Sequence, residues 1–248
     1  MMTEPNRRGF LGFALSGVGA VTVSACSRTD SGDKTVLHGG HGLTEETAGL
    51  TPDQAMAKLV DGNARFIAMK HGDPNNSSAR LVAVSKGQKP FVGVLGCVDS
   101  RVPPELVFDR GLGDIFDTRI AGAIHDDAAV GSLEFGVEEF DIPLLVVLGH
   151  SRCGAVTAAA KAVQGGQENP PPGHIGAVVD PILPAVKAVI AQGVTGDAVI
   201  DAAAKEVVRR GVADMNESPV LKERLAGGKL KIVGAFYDLD SGKIQFLS

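Results

Sequence analysis

Two continuous apolar runs constrain the fold of this chain more than any other feature. They read FVGVLG at residues 91–96 and PLLVVL at residues 143–148, and neither alternates between apolar and polar positions. A strand without alternation is typical of a parallel sheet that is buried on both faces. Helical patterns follow, for example DAAVGSLEFGVEEF after Asp126 and CGAVTAAAKAVQGG from Cys153. The sequence therefore predicts an α/β fold, with a mainly parallel β-sheet flanked by α-helices.

The folded domain is predicted to span residues 51–248. It starts with an N-terminal helix, TPDQAMAKLVDGNARFIAMKHG, in which Thr51 caps the helix and Pro52 occupies its first position. Further helices are expected over residues 175–193 and 196–216. The final segment, KLKIVGAFYDLDSGKIQFLS, predicts a strand followed by a hairpin partner.

Composition excludes several classes of protein. The chain has 44% hydrophobic and 21% charged residues, which is ordinary for a globular protein and excludes global disorder. Its formal net charge of -5 offers no basic surface, so we expect no nucleic-acid partner. With no tryptophan and one tyrosine, the chain lacks the side chains of a base-stacking platform. The function must therefore come from local chemistry.

The first 26 residues differ in character from the rest of the chain. Arg7 and Arg8 precede a weakly apolar run rich in Gly, Ala and Val, which ends in VSAC at residues 23–26. This pattern predicts a twin-arginine export signal over residues 1–26 and a location in the cell envelope or periplasm. A disordered tail with a chance arginine pair is the alternative.

The same end of the chain contains a possible attachment point for a lipid. VSAC resembles a lipobox, in which Cys26 would be lipidated and would tether the protein to a membrane. The polar, glycine-rich residues 27–50 that follow are interpreted as a flexible linker.

Two cysteines and a histidine follow the apolar runs. Cys97 comes directly after the first run, and GHSRCG places His150 at the end of the second, with Cys153 opening the next helix. The carboxyl ends of parallel strands meet at one edge of a sheet, where ligands bind. Two thiols and an imidazole there favour a Zn²⁺ site with a fourth position left for water. The alternatives are thiols that only pack in the core, or a redox pair, although the spacing is not C-x-x-C.

The residues around these positions resemble a known family. CVDSRVPPE, which starts at Cys97, and GHSRCG, which starts at Gly149, are similar to the C-x-D-x-R and H-x-x-C motifs of β-class carbonic anhydrases. The resemblance extends over residues 51–248, including LVDGNARF and GAFYDLDSGKIQF. It implies an α/β zinc enzyme that converts carbon dioxide and water to bicarbonate and a proton.

The resemblance also implies residue roles. Cys97, His150 and Cys153 would hold one Zn²⁺ per chain. Asp99 and Arg101 would form the neighbouring catalytic dyad, in which Arg101 keeps Asp99 ionised and turned away from the metal.

Substrate-binding positions are carried over in the same way. The resemblance places Gln88 in the pocket of a dimer partner, as in plant-type members, with Phe116 at an apolar pocket position. Val94 stands where the bicarbonate-gated subgroup typically has tryptophan, which favours the ungated form. Phe135 replaces an expected pocket tyrosine. A homodimer or a higher even oligomer that acts on CO₂ and bicarbonate is therefore expected.

Other departures and alternatives remain open. Ile120 and Ala123 replace the asparagines of a frequent R-N-A-G-N motif. His125 is a candidate proton shuttle, although it could equally cap the following helix or be exposed. A zinc hydrolase of carbonyl sulfide or carbon disulfide, or a non-catalytic zinc-binding module, would fit the same metal ligands.

Overall fold

A computed structural model of the chain describes residues 49–72, 74–165 and 171–247. The predicted export signal with Cys26, and the predicted linker up to residue 48, lie outside the described residues. None of the helices in the described part combines the length and the apolar character needed to cross a bilayer.

The helices are α1 (Pro52–Ile67), α2 (Ser78–Val84), α3 (Pro104–Val107), α4 (Asp127–Phe140), α5 (Gly154–Gln164), α6 (Gly176–Val179), α7 (Leu183–Ala191), α8 (Ala198–Glu217) and α9 (Pro219–Ala226). The strands are β1 (Val92–Gly96), β2 (Ile115–Arg119), β3 (Leu144–His150), β4 (Lys231–Tyr237) and β5 (Ile244–Leu247).

The strands of the described residues form one five-stranded sheet in the order β2-β1-β3-β4-β5. β1 pairs in parallel with both β2 and β3, and β3 pairs in parallel with β4. The last strand, β5, is antiparallel to β4 and completes the predicted hairpin. The predicted fold class, α/β with a mainly parallel sheet flanked by helices, is confirmed.

Helices cover both faces of the sheet, which explains why β1 and β3 show no alternation. Val94 of β1 packs in a buried cluster with Leu59 of α1 on one face. Leu95, the next residue, packs with Leu133 of α4 in a cluster on the other face. Successive side chains of a strand point to opposite faces, so every position of a doubly covered strand is apolar.

The N-terminal helix α1 begins as the sequence predicts. Thr51 and Gln54 form a capping box, in which each side chain accepts a hydrogen bond from the backbone of the other, and Pro52 opens the helix. Further along α1, the Asn63 side chain donates to the carbonyl oxygens of Val107 and Gly242, each at 2.9 Å. This asparagine therefore connects α1 to the β4–β5 hairpin and to α3.

The sequence analysis missed α2, α3 and α9. The first two have only seven and four residues, too few to show a helical period. Long-range contacts hold them instead, such as the buried ion pair between Arg80 of α2 and Asp114, at 3.0 Å. The helix α9 starts after Ser218, whose hydroxyl accepts from the backbone of Leu221 and donates to Glu134 of α4.

Candidate metal centre

The carboxyl ends of β1 and β3 lie side by side, at the point where the strand order reverses. Gly96 of β1 pairs with Leu148 of β3, so Cys97 lies beside the last residues of β3. His150 ends β3, and Cys153 directly precedes α5. Cys97, His150 and Cys153, here called the metal trio, are all buried, and their candidate ligand atoms lie within 4.8 Å of one another. An open α/β sheet binds ligands at this kind of position.

The His150 ring is oriented as a metal ligand requires. Its Nδ1 lies 3.0 Å from the carbonyl oxygen of Ser151, which can only accept, so Nδ1 carries the proton. The lone pair is then on Nε2, which is buried and has no hydrogen-bond partner. A buried nitrogen without a partner is costly unless a ligand binds it, so His150 fits a metal ion.

The two thiols of the metal trio shift the pKa of each other in opposite directions. A hydrogen bond from Cys153 lowers the pKa of Cys97 to about 4, although burial opposes the shift. The same contact, together with burial, raises the pKa of Cys153 above its usual range. The backbone N–H of Gly122 also donates to the Cys97 sulfur, at 3.3 Å. The lowered pKa favours the thiolate form of Cys97, and two sulfurs with one imidazole form a donor set that suits Zn²⁺.

The carboxylate of Asp99, which is ion-paired with Arg101, lies next to the metal trio. Arg101 donates to Asp99 from its backbone N–H, its Nε and its terminal nitrogen, at 2.9, 2.9 and 2.7 Å. The side-chain hydrogen bond from Arg101 holds the pKa of Asp99 well below its usual range, against the effect of burial. An Asp99 carboxylate oxygen lies 3.9 Å from the His150 Nε2. The dyad thus favours an ionised hydrogen-bond acceptor beside the trio.

A residue to which the sequence analysis gave no role holds the loop that carries Cys97 and Asp99. We call residues 97–101 the β1 loop. Arg119, the last residue of β2, donates from Nε to the Cys97 carbonyl at 2.9 Å and from a terminal nitrogen to the Asp99 carbonyl at 2.6 Å. Two features of the sequence could have pointed to Arg119, namely its place at the carboxyl end of a neighbouring strand and its place as the arginine of the R-N-A-G-N-like segment.

The structure does not bring the predicted pocket residues to the metal trio of the same chain. Gln88 is exposed and lines an open groove of about 520 Å³ with residues such as Lys86 and Leu112. The Phe116 ring packs against Phe140 of α4, at 5.7 Å between centroids. Phe135 is 55% exposed and packs edge-to-face on Phe140.

His125, the candidate proton shuttle, lies beside a carboxylate of α8. His125 does not cap α4, because Asp126 does so. Its Nε2 lies 2.8 Å from the Asp214 carboxylate on α8.

Ala123 has a φ of 53°, a left-handed conformation in which asparagine is several-fold enriched. This backbone requirement explains why asparagine is frequent at that position of the resembled motif. Ile120, the other departure, packs partly buried between two core clusters.

Comparison with known proteins agrees with this geometry. The family model described as carbonic anhydrase matches residues 92–244. Carbonic anhydrase 2 of Mycobacterium tuberculosis is 40% identical over 193 residues, covering 77% of this chain and 91% of the relative. A carbonic anhydrase of Mycolicibacterium smegmatis is 36% identical over 198 residues, covering 79% and 94%.

Solved structures share the fold. A β-carbonic anhydrase of Aspergillus fumigatus superposes with a TM-score of 0.61 at 24% identity, covering 79% of this chain and 90% of that one. One of two tetrameric β-carbonic anhydrases of Sordaria macrospora gives a TM-score of 0.62 at 22% identity, with 78% and 96% covered. The sequence match and the shared architecture together show that this chain belongs to the carbonic anhydrases, a family of lyases, and to their β class.

Proposed function

We propose that this protein catalyses the zinc-dependent, reversible hydration of carbon dioxide to bicarbonate and a proton, with one Zn²⁺ per chain. The observation that carries the proposal is the metal trio, Cys97, His150 and Cys153, with a locked carboxylate beside it. When bound by these residues, zinc supplies the Lewis acidity that makes water nucleophilic near neutral pH.

Asp99 has the role of orienting the attacking water. As an ionised carboxylate it accepts a hydrogen bond from that water, which directs an oxygen lone pair at the carbon of CO₂. The water oxygen forms the new C–O bond, one C=O π pair moves to oxygen, and the proton leaves to solvent. Arg101 keeps Asp99 ionised and holds both carboxylate oxygens, so that Asp99 does not turn to the metal position.

The rest of the pocket is proposed to come from a second copy of the chain. Gln88 and Phe135 are exposed here, and Leu81 and Val82 of the neighbouring α2 are 58% and 62% exposed. The adjacent exposed apolar side chains of α2 are typical of an interface. In the dimer the Gln88 amide would donate to an oxygen of CO₂ or bicarbonate, and Phe116 and Phe135 would provide apolar walls. Val94 stands where the gated subgroup typically has tryptophan, which supports the ungated, plant-type form.

Turnover measured on metal-quantified protein tests the proposed function. Cys153→Ala should lose most of the zinc together with CO₂ hydration activity. Asp99→Asn should keep its zinc and lose on the order of a hundredfold in turnover, the usual contribution of a positioned acid–base group. Asp117→Asn, an exposed carboxylate on β2, is the matched control and should leave both unchanged.

Three outcomes would reject parts of the proposal. Full zinc occupancy in Cys153→Ala would remove the metal trio as the zinc site. Full turnover in Asp99→Asn would leave the dyad a purely structural ion pair. Hydrolysis of carbonyl sulfide or carbon disulfide in preference to CO₂ hydration would assign the same centre to a different substrate.

Export through a twin-arginine route is proposed from the sequence alone. Such a route carries folded protein, so both thiols could bind zinc before they meet an oxidising compartment. Arg7→Lys together with Arg8→Lys should leave active enzyme in the cytoplasm, whereas Cys26→Ser should release an exported protein from the membrane. Cell fractionation checks both, and an unchanged distribution of either variant rejects the corresponding part.

A further inference from the structure

The connection between the two ligands on the β3 side has an unusual backbone. We call residues 150–153 the β3 turn, which joins His150 to Cys153 through Ser151 and Arg152. Arg152 has a φ of 52°, in the left-handed region that side chains other than glycine rarely adopt. This conformation sets the direction in which Cys153 leaves the turn. Something must stabilise it, because arginine gains nothing locally from a left-handed backbone.

A carboxylate on α8 contacts the backbone of this residue. The Arg152 N–H donates to Oδ1 of Asp201 at 2.8 Å, across 49 positions of sequence. Asp201 lies in the first turn of α8, the longest helix among the described residues. A hydrogen bond from a backbone amide to a carboxylate is charge-assisted, and it is stronger than one to a neutral oxygen.

The remaining contacts of the turn anchor it to the β4–β5 connection. The Ser151 N–H donates to the Tyr237 carbonyl at 3.0 Å, and the Ser151 hydroxyl accepts from the Leu239 N–H, also at 3.0 Å. The Arg152 guanidinium binds both carboxylate oxygens of Asp240, at 2.7 and 2.8 Å. That pair is largely exposed, with 54% and 72% of the side chains accessible, so solvent screens it.

We propose that Asp201 is a positioning residue for the metal centre. Its carboxylate holds the left-handed backbone of Arg152, and thereby fixes the separation and angle between the His150 and Cys153 ligand atoms. The inference rests on the proposed function only in taking the trio to bind zinc. Residues that orient metal ligands without touching the metal typically contribute tenfold to a hundredfold to metal affinity.

Zinc release to a chromogenic chelator tests this role in the full-length, zinc-loaded protein. Asp201→Ala should release zinc about tenfold faster than the wild type, because the turn loses the acceptor that holds it. Asp201→Asn keeps a side-chain oxygen in the same place and should restore most of the retention. In the Asp201→Ala background, Arg152→Gly should recover part of the loss, because glycine adopts a positive φ without strain.

Asp197→Ala is the matched control. Asp197 precedes the same helix, is exposed and makes no side-chain capping bond, so its removal changes the charge equally without touching the turn. The absorption spectrum of cobalt-substituted protein should shift in Asp201→Ala and stay unchanged in Asp197→Ala, which a general loss of stability would not produce.

Wild-type release rates in Asp201→Ala, or equal acceleration in Asp197→Ala, would overturn the inference. Tight zinc binding without CO₂ turnover in the wild type would instead reject the proposed function and leave the role of Asp201 intact. Turnover in the wild type with unchanged release in Asp201→Ala would reject only the positioning role.

Discussion

The β1 loop and the β3 turn provide ligands to one centre, but opposite kinds of hydrogen bond hold them. In the β1 loop the backbone accepts, because Arg119 donates to the carbonyls of Cys97 and Asp99. In the β3 turn the backbone donates, because the Arg152 N–H is bound by the Asp201 carboxylate. One side of the metal trio thus depends on a cation from a neighbouring strand, and the other on an anion from a helix.

This difference in hydrogen bonding predicts how sensitive the β1 loop and the β3 turn are to single substitutions. A single guanidinium makes both side-chain contacts to the β1 loop carbonyls, so one substitution removes them together. In the β3 turn the contacts come from two separate parts of the chain, namely Asp201 of α8 and the β4–β5 connection with Tyr237 and Asp240. We therefore expect the β1 loop to respond more strongly to single substitutions than the β3 turn does.

The largest effect is expected from Gly122→Ala, which breaks the β1 side. Gly122 has a φ of 77°, and an added Cβ would lie 2.6 Å from the Cδ1 of the fully buried Ile182. Strain and overpacking together should lower the free energy of unfolding by about 1–3 kcal/mol. The N–H that donates to the Cys97 sulfur would also move, so most of the bound zinc should be lost. Urea unfolding and metal analysis measure the two effects.

Gly131→Ala is the control for this substitution. Gly131 lies within α4, and an added Cβ would meet no atom within 4 Å. Alanine should stabilise the helix there by about 0.5–1 kcal/mol and leave zinc in place. Equal behaviour of the two alanine variants would contradict the special role of Gly122.

The second prediction sharpens the comparison directly. Arg119→Met removes both donors from the β1 loop, so zinc release should accelerate by about tenfold or more, and at least as much as in Asp201→Ala. Arg119→Lys retains the charge but lacks the planar fork, so it should restore only part of the loss. The comparison is made by measuring zinc release to a chelator from Arg119→Met and from Asp201→Ala. A smaller effect from Arg119→Met than from Asp201→Ala would reverse the proposed order.

The contrast between local and distant residues also explains what the sequence could predict. The metal trio and the dyad lie at strand ends or within five positions of them, so local pattern and spacing predict where they meet. Arg119 contacts the β1 loop across 22 positions, and Asp201 contacts the β3 turn across 49. Arg119 is the arginine of the R-N-A-G-N-like segment, but that motif does not say what the arginine contacts. Asp201 has no motif signal, and only the packed fold brings either residue to the site.

The fold also divides into features that the local sequence predicts and features that only tertiary contacts explain. The parallel sheet and α1 were predictable from uninterrupted apolar runs and from a capping threonine followed by proline. The short helix α2 was missed, because the buried pair of Arg80 and Asp114 holds it through tertiary contact rather than helical period. Gln88, Phe116 and Phe135 were predicted from a resemblance in which a second chain contributes, and one chain alone keeps them apart from the trio.

The smallest effect is expected from Asp240→Asn, which removes the exposed anchor of the β3 turn. The asparagine loses the charge that Arg152 binds but keeps an oxygen acceptor, and the amide contact to Asp201 is unaffected. Exposed ion pairs are weak and are screened by salt, so zinc release should accelerate no more than about twofold at low ionic strength. At about 1 M salt, where the screening length is about 3 Å, the variant and the wild type should release zinc at equal rates. A salt-independent acceleration as large as that of Asp201→Ala would show that the guanidinium, rather than the backbone amide, holds the turn, and the two sides of the centre would then both depend on an arginine.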